Sequence, residues 1–463
     1  IVRELALNGG VEGDIEILLS KNNIYQNTDV PKVSPKKISS KGREDLTGQP
    51  SLLFESWDCS NSPSLPALFA QPYDGGNRIW IHSPTVSERI NIGGKIDKYL
   101  LDKGEVVCLG NNWLDFLNNS LKTASQFIPN KENQSITLMI DINCKGEITD
   151  WKFSHSIIKP VSVITSKHLS AINKRRTTSK SVPIVLKPIK DSMEVIYTLI
   201  HSAKLVNQIN ETSIKLDEDI PNLERLNELQ KTFPSRDFNG WSKSFDISDP
   251  QSIIDIYIRL ANNVLANHLI NYQMPFIYKE HESIDPTSLN ELIKSSLVLD
   301  NDITLKIDGS ITTKELIKAF ESSSQKRIFQ KLFKHIIPGI HLKLFKNNYT
   351  LENEDINVKL NKHLIEVPWC CPSLNYWNIF NQYILSTLLN NGKNRISSRS
   401  KERIDLGQKD SWDKITWELF PPKVYETILE NADLKLINDL NEIRKKTKLF
   451  RNNIISIAQV REA

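Results

Sequence analysis

Apolar and polar residues alternate from Ser51 onward, in Leu52-Leu-Phe54, Ala67-Leu-Phe69, Arg78-Ile-Trp-Ile-His82, the run 135–142 and the run 147–153. A two-residue period sends successive side chains to opposite faces of a strand, and Asp74-Gly-Gly-Asn77 and Cys144-Lys-Gly146 supply turns between the runs. The pattern predicts an antiparallel sheet made of hairpins. Beyond Lys190 the apolar spacing changes to three and four residues, which predicts helices over 193–210, 250–271, 313–335, 376–390 and 434–459. The second is the best bounded: Ser248 and Asp249 supply capping oxygens and Pro250 suits a first helical turn. A sheet followed by helices is an α+β order, with a mixed or antiparallel sheet from the first half packed by helices mainly from the second. A short helix is expected near 14–19. The polar Lys-, Ser- and Pro-rich stretch between 26 and 41 reads as a connector.

Length and charge narrow the picture. A chain of 463 residues and 53.0 kDa exceeds a single ordinary core. Apolar residues make up 39% and charged residues 25%, the balance of a soluble protein, and no apolar run is long enough to cross a bilayer. The five cysteines are scattered apart from Cys370-Cys371, which is no secreted disulfide framework, so a cytoplasmic setting is expected. The chain starts at Ile1 and reads as a fragment of a longer protein. With a net charge of only +4, any nucleic-acid binding must come from local clusters. Lys174-Arg175-Arg176, continuing through Lys180, Lys187 and Lys190 with no acidic residue between, is the clearest. A second lies at Arg444, Lys445, Lys446, Lys448 and Arg451. Each reads either as a phosphate track or as a solvated face.

Several short motifs recur in a fixed order. They are Arg43-Glu-Asp-Leu-Thr47, Arg78-Ile-Trp-Ile-His-Ser-Pro-Thr-Val-Ser87, Ile96-Asp97 with Lys103-Gly104, Arg259-Leu-Ala-Asn262, Pro275 to Pro286, and Cys371-Pro-Ser-Leu-Asn-Tyr376. In that order the chain resembles the RNB family, the catalytic domain shared by ribonuclease II and ribonuclease R. The resemblance implies an RNB-like domain over 43–400, a connector over 1–42 and a helical extension over 401–463. The small OB-type and S1-type barrels that flank this domain in the family are not visible.

The resemblance also implies a channel for single-stranded RNA that ends at two Mg²⁺ ions, where the 3′ end is hydrolysed. Two close magnesium ions demand several carboxylates to offset their repulsion. The family supplies four aspartates before an alanine-leucine pair. Here Asp58 alone can match the first, one residue out of register, while Pro63, Leu65 and Pro66 stand at the others. The two arginines of the family's turn are Leu374 and Asn375, and the aspartate before valine-serine is Thr85. Asp58 is therefore the sole retained catalytic candidate, and no metal site is expected. The family arginine after the tyrosine of its proline-tyrosine segment is Lys279, followed by His281.

Trp80, Trp369, Tyr376 and Trp377 are open to two readings, flat faces for unpaired bases or core packing. Cys370-Cys371 with His363 lacks the ligand spacing of a zinc site and reads as buried thiols. The sequence thus points to an RNB-like protein of RNA metabolism that binds single-stranded RNA without cutting it. Lys174, Arg175, Arg176, Lys279, His281, Trp369 and Tyr376 are its candidate RNA contacts. Two alternatives are an active 3′-to-5′ exoribonuclease with a metal site rebuilt from Asp58, Asp74 and Asp97, and a protein-interaction scaffold.

Overall fold

The computed structural model describes residues 11–24, 30–57, 62–108, 113–175, 181–209, 245–281, 286–298, 340–346, 365–392, 404–415 and 422–462, with isolated positions 319, 323, 324, 328 and 419. Asp58, Arg176 and His363 lie outside the described residues, as does the predicted helix 313–335 apart from four isolated positions.

Twelve strands are named among the described residues: β1 (Glu44–Leu46), β2 (Leu52–Phe54), β3 (Ala67–Tyr73), β4 (Gly76–Pro84), β5 (Val107–Cys108), β6 (Trp113–Leu114), β7 (Asn133–Ile142), β8 (Ile148–Ile158), β9 (Ser162–Ile164), β10 (Phe276–His281), β11 (Ile340–Phe345) and β12 (Ile365–Glu366). The α-helices are α1 (Val11–Lys21), α2 (Lys95–Lys103), α3 (Asn119–Ser125), α4 (Ser166–Lys174), α5 (Met193–Ile209), α6 (Pro250–Asn271), α7 (Pro286–Val298), α8 (Tyr376–Asn390), α9 (Pro422–Asn431) and α10 (Leu434–Glu462).

The main sheet runs β1-β8-β7-β4-β3-β2-β9, antiparallel inside and closed at each edge by a short parallel strand. The alternating runs form its middle, and the α+β order read from the sequence holds. Tight registers come from the hairpins: Asp74 and Gly75 turn β3 into β4 with positive φ, so Phe69 faces Trp80 and their rings sit 5.1 Å apart. Trp80 is a core residue. Arg78 opposes Asp141 and forms two bonds to its carboxylate at 2.6 and 2.7 Å, a planar fork on a planar acceptor. Arg43 plays a structural part. Its guanidinium reaches Ser135 O at 3.1 Å and Glu88 at 2.6 Å, and His155 Nδ1 lies 3.3 Å from the same carboxylate. Burial works against the charged Glu88, yet His155 and Arg43 hold its pKa down at about 2.

Helices α5 and α6 cover the sheet, and α6 is buried over most of its length. The Asp249 side chain accepts from Gln251 N at 3.0 Å and Pro250 opens the helix, as the capping signal predicts. A second sheet, β11-β10-β12, is antiparallel, and α10 covers its β11 edge. There the Asn441 carboxamide donates to Leu342 O and accepts from Leu342 N, both at 2.9 Å, so one side chain completes the ladder a neighbouring strand would supply. None of the described helices is long and apolar enough to cross a membrane.

The segment around Gly407 runs along β8, with Phe153 N donating to Gly407 O at 2.8 Å and Lys409 N to Trp151 O at 3.0 Å. A Cβ at Gly407 would stand 1.9 Å from Phe153 O, so only glycine permits this approach. Beneath it, His268 Nε2 donates to Leu406 O at 2.9 Å. That network leaves Nδ1 to accept from Trp151 Nε1 at 3.3 Å, which fixes a neutral ring.

Burial pushes the pKa of His268 down to about 4 and that of His82, beside Thr137, down to about 3. The unfolded chain takes up these protons near pH 6.5, whereas the folded chain resists them, so stability is complete above about pH 6.5 and falls as the pH drops toward the folded values. Urea midpoints measured from pH 7 to 5 are expected to decline, and His268→Gln is expected to flatten that decline while lowering the midpoint throughout. A slope unchanged by the substitution would refute the assignment.

Candidate nucleic-acid site

Three segments meet where the resemblance implies catalysis: the approach to β3 (62–66), the loop after α2 (104–106) and the turn before α8 (371–376). Backbone bonds knit them. Val106 N donates to Leu374 O at 2.8 Å, Tyr376 N donates to Gly104 O at 2.7 Å, and the Ser373 hydroxyl donates to Ser64 O. The shallow pocket between them is lined by Ser62, Pro63, Ser64, Asp115, Lys122 and Ser373 among others. Its one carboxylate, Asp115, pairs with Lys122 at 2.8 Å. Hydroxyls, a self-neutralised ion pair and the apolar side chains of Val106, Phe116 and Leu117 thus line the space.

These residues do not fit a magnesium pair. Pro63, Leu65 and Pro66 are buried and offer no side-chain oxygen, and among the described residues no group of three or more His, Cys, Asp or Glu converges as metal ligands would. The rebuilt site fares no better. Asp74 sits at the far tip of the β3–β4 hairpin, and at ~3.3 Å per residue along β3 it is roughly 26 Å from Pro66. Asp97 is buried on α2 and already engaged, accepting from Tyr376 OH at 3.0 Å and Gly93 N at 2.8 Å. Burial raises its pKa to about 6, and those two bonds pull the other way. Asp74 and Asp97 therefore do not form one cage.

The turn has gained a structural task. Leu374, at the family's first arginine, is buried in the core. Asn375, at the second, caps α8 by accepting from Asn378 N at 3.1 Å. Along α8, Asn378 accepts from Cys371 N at 3.1 Å, and Asn381 accepts from Ile277 N at 2.9 Å while donating to Ile277 O and Pro368 O at 2.7 Å. Gln382 accepts from Val86 N and Ser87 N at 3.2 and 3.0 Å and donates to Ser83 Oγ and Pro84 O at 2.8 and 2.9 Å. The sequence reading missed these amides. Their signal is four carboxamides at cap and one-face spacing in Asn375, Asn378, Asn381 and Gln382, on a helix otherwise rich in apolar residues.

Several proposed RNA contacts prove to be core. Trp369 is 0% exposed, donates Nε1 to Ala261 O at 3.1 Å and packs edge-on to Phe153, so its face is unavailable to a base. Tyr376 is equally buried, with its hydroxyl spent on Asp97. Both corrections have one cause: an aromatic beside a turn buries its large apolar face unless the turn is held away from the core. Trp377 is buried as well. Lys279 is 4% exposed, opposite Glu366 in the register of β10 and β12, in a charged cluster where Arg259 lies 3.2 Å from Asp255 and 3.8 Å from Glu366. It is enclosed rather than offered to a phosphate. His281 ends β10, paired with Ile340. Lys174 is exposed at the end of α4, and Arg175 Nη1 donates to Tyr197 OH at 3.4 Å. Cys370 and Cys371 are buried free thiols, and burial with mutual repulsion pushes Cys371 well above its ordinary pKa. They are inert.

Known proteins carry the same fold. The RNB domain family model matches residues 43–391. RNase R of Mycoplasma genitalium in complex with ribose methylated single-stranded RNA superposes with a TM-score of 0.69 at 13% identity, covering 97% of this chain and 64% of that one. Yeast Ssd1, described as a pseudonuclease, gives 0.60 at 13% identity over 94% of this chain and 50% of its own. A curated relative, the acetazolamide conferring resistance protein zam of Synechocystis, is 21% identical over 390 residues. The chain spans 44% of that relative's length. At these identities the structural matches establish the fold.

Leu65 is 6% exposed, so restoring the family's acid there as Leu65→Asp buries a carboxylate with no cation to meet it. The variant is expected to lose at least about 3 kcal/mol at pH 7, read as a fall in the urea midpoint. A midpoint equal to the parent's would show that the position still accepts a ligand carboxylate.

Proposed function

This chain belongs to the RNB family, and from that premise we propose that it is a protein of RNA metabolism that binds single-stranded RNA without hydrolysing it. One observation carries the reading: the family model matches residues 43–391, while Pro63, Leu65 and Pro66, which the resemblance sets against three of the family's four aspartates, are buried and carry no carboxylate. Without a carboxylate cage there is no paired magnesium to generate a hydroxide or stabilise the leaving oxygen. A channel that lacks that chemistry can still hold a strand. RNase R, which shares the fold, has been solved with single-stranded RNA, and Ssd1 supplies a pseudonuclease on the same fold.

Electrostatics supports the same reading. Residues 151–190 hold nine Lys and Arg and no Asp or Glu, although the whole chain is only +4. The remainder is therefore net acidic, and positive potential is concentrated on one tract. Lys174, Arg175 and Arg176 sit within it and are the proposed phosphate contacts. A cytoplasmic, reducing setting accords with the free thiols Cys108, Cys370 and Cys371.

A labelled 20-nucleotide oligo(U) incubated with magnesium or manganese is expected to shift in a native gel and to keep its full length on a denaturing one. In Lys174→Glu with Arg175→Glu and Arg176→Glu the affinity should fall, and the salt dependence should weaken by about 2 in log–log slope, since each lost single-strand phosphate contact removes ~0.7. Stepwise shortening would replace this reading with an active exoribonuclease. A complete failure to shift at low salt would favour a scaffold.

A further inference from the structure

The segment Ile184–Ser192 is 3₁₀-helical on either side of a kink at Ile189, and burial recurs along it every third residue, which sorts its side chains into three ridges. Leu186, Ile189 and Ser192 form the buried one, packed toward α4 and α5, with Ser192 Oγ 3.5 Å from Ser162 Oγ on β9. The second ridge carries Ile184, Lys187 and Lys190, and the third carries Val185, Pro188 and Asp191. Ile184 is 80% exposed and Val185 46%, two adjacent branched aliphatics raised into solvent. Tyr197 on α5 and Val163 on β9 are also exposed large side chains on elements that adjoin this helix. Scattered single apolar residues need no account, but adjacent ones bordered by lysines on a neutralisation-poor tract do.

We propose that this ridge is a docking site for an acidic polypeptide segment of a partner protein, one that carries aliphatic or aromatic anchors between its carboxylates. The site lies beyond the RNA reading and does not depend on it. Charge complementarity selects the sign of the occupant, because the ridge stands in the acid-free tract of nine basic residues. The side chains select its class. Sequence-tolerant RNA binding uses flat rings, whereas Ile184 and Val185 offer branched aliphatics that fit a side-chain anchor. The rim is mixed in sign, since exposed Asp191 and Glu194 follow Lys190. A bilayer surface or a phosphate chain offers Ile184 and Val185 no side chain to anchor against, while a polypeptide does.

The test is fluorescence anisotropy of a labelled 16-residue peptide alternating Glu with Leu, Ile and Phe, titrated with the full chain. Polyglutamate, oligo(U) and phosphatidylserine–phosphatidylcholine vesicles serve as competitors. The peptide should bind and resist all three. Ile184→Ser with Val185→Ser, which leaves the charge of the tract as it is, should weaken it at least ~10-fold, about 1.4 kcal/mol, with oligo(U) binding unchanged. Lys187→Glu with Lys190→Glu should weaken it and remove its salt dependence. Because all four residues are exposed, far-UV circular dichroism should match the parent in each variant. No peptide binding, equal binding in the aliphatic variant, or displacement by polyglutamate, vesicles or oligo(U) would each overturn the proposal.

Discussion

The Gln382 carboxamide takes two backbone N–H groups from the end of the β4 strand and returns its own two N–H groups to Ser83 and Pro84. The preceding residue on the same helix, Asn381, does the equivalent for Ile277 and Pro368. The Gln382 contacts bridge nearly 300 residues of sequence between the sheet and the helical half. Each ties up buried backbone groups that would cost about 1–3 kcal/mol apiece if left without partners. A polar staple of this kind also sets register in a way that apolar packing does not, because a one-residue slip leaves every partner empty. The segments at 62–66, 104–106 and 371–376 meet because this helix is held in one place.

Seen from that staple, the survival of the fold without a metal cage is unsurprising. Clustered aspartates repel one another, and in a domain without bound cations they work against folding. Buried proline and leucine at those positions add apolar contact and remove the repulsion. Nothing in the sheet register depended on the acids: β3 is aligned by its hairpin with β4 and by the Phe69–Trp80 contact. Chemistry and architecture occupy different residues here, so one can decay while the other persists.

What was legible follows from range. The strands of the main sheet and the long helices could be read because period and turn chemistry are local, and Asp249-Pro250 announced its helix. The short helices 95–103, 119–125 and 166–174 were missed because each has too few turns for a period to emerge, and the edge strands β1 and β9 because three residues cannot alternate convincingly. The site divided in the same way. The absence of acids at 63, 65 and 66 was visible in the letters. Burial was not: Trp369, Tyr376 and Lys279 are enclosed by segments about 90 to 280 residues away, and no local pattern reports that. Arg43 likewise looked like a family mark and proved to be the cation that satisfies buried Glu88.

Under the proposed reading, the residues at the turn and those at 62–66 are coupled by electrostatics. A guanidinium at position 374 would have to sit where Leu374 is now almost wholly buried, beside residues 62–66 that no longer carry negative charge. An unpaired buried cation costs several kcal/mol, and breaking a charge cluster by removing one sign alone is worse than removing both. With no acid at 63, 65 or 66, an arginine at 374 would be a liability, and leucine avoids it by joining the core. Asparagine next to it is not a neutral replacement either, because position 375 precedes the first turn of a helix whose N–H groups need an acceptor, and a short carboxamide reaches them where a long guanidinium has nothing to accept with. The turn thus grips its own helix, through a cap that only a short side-chain acceptor at position 375 can supply.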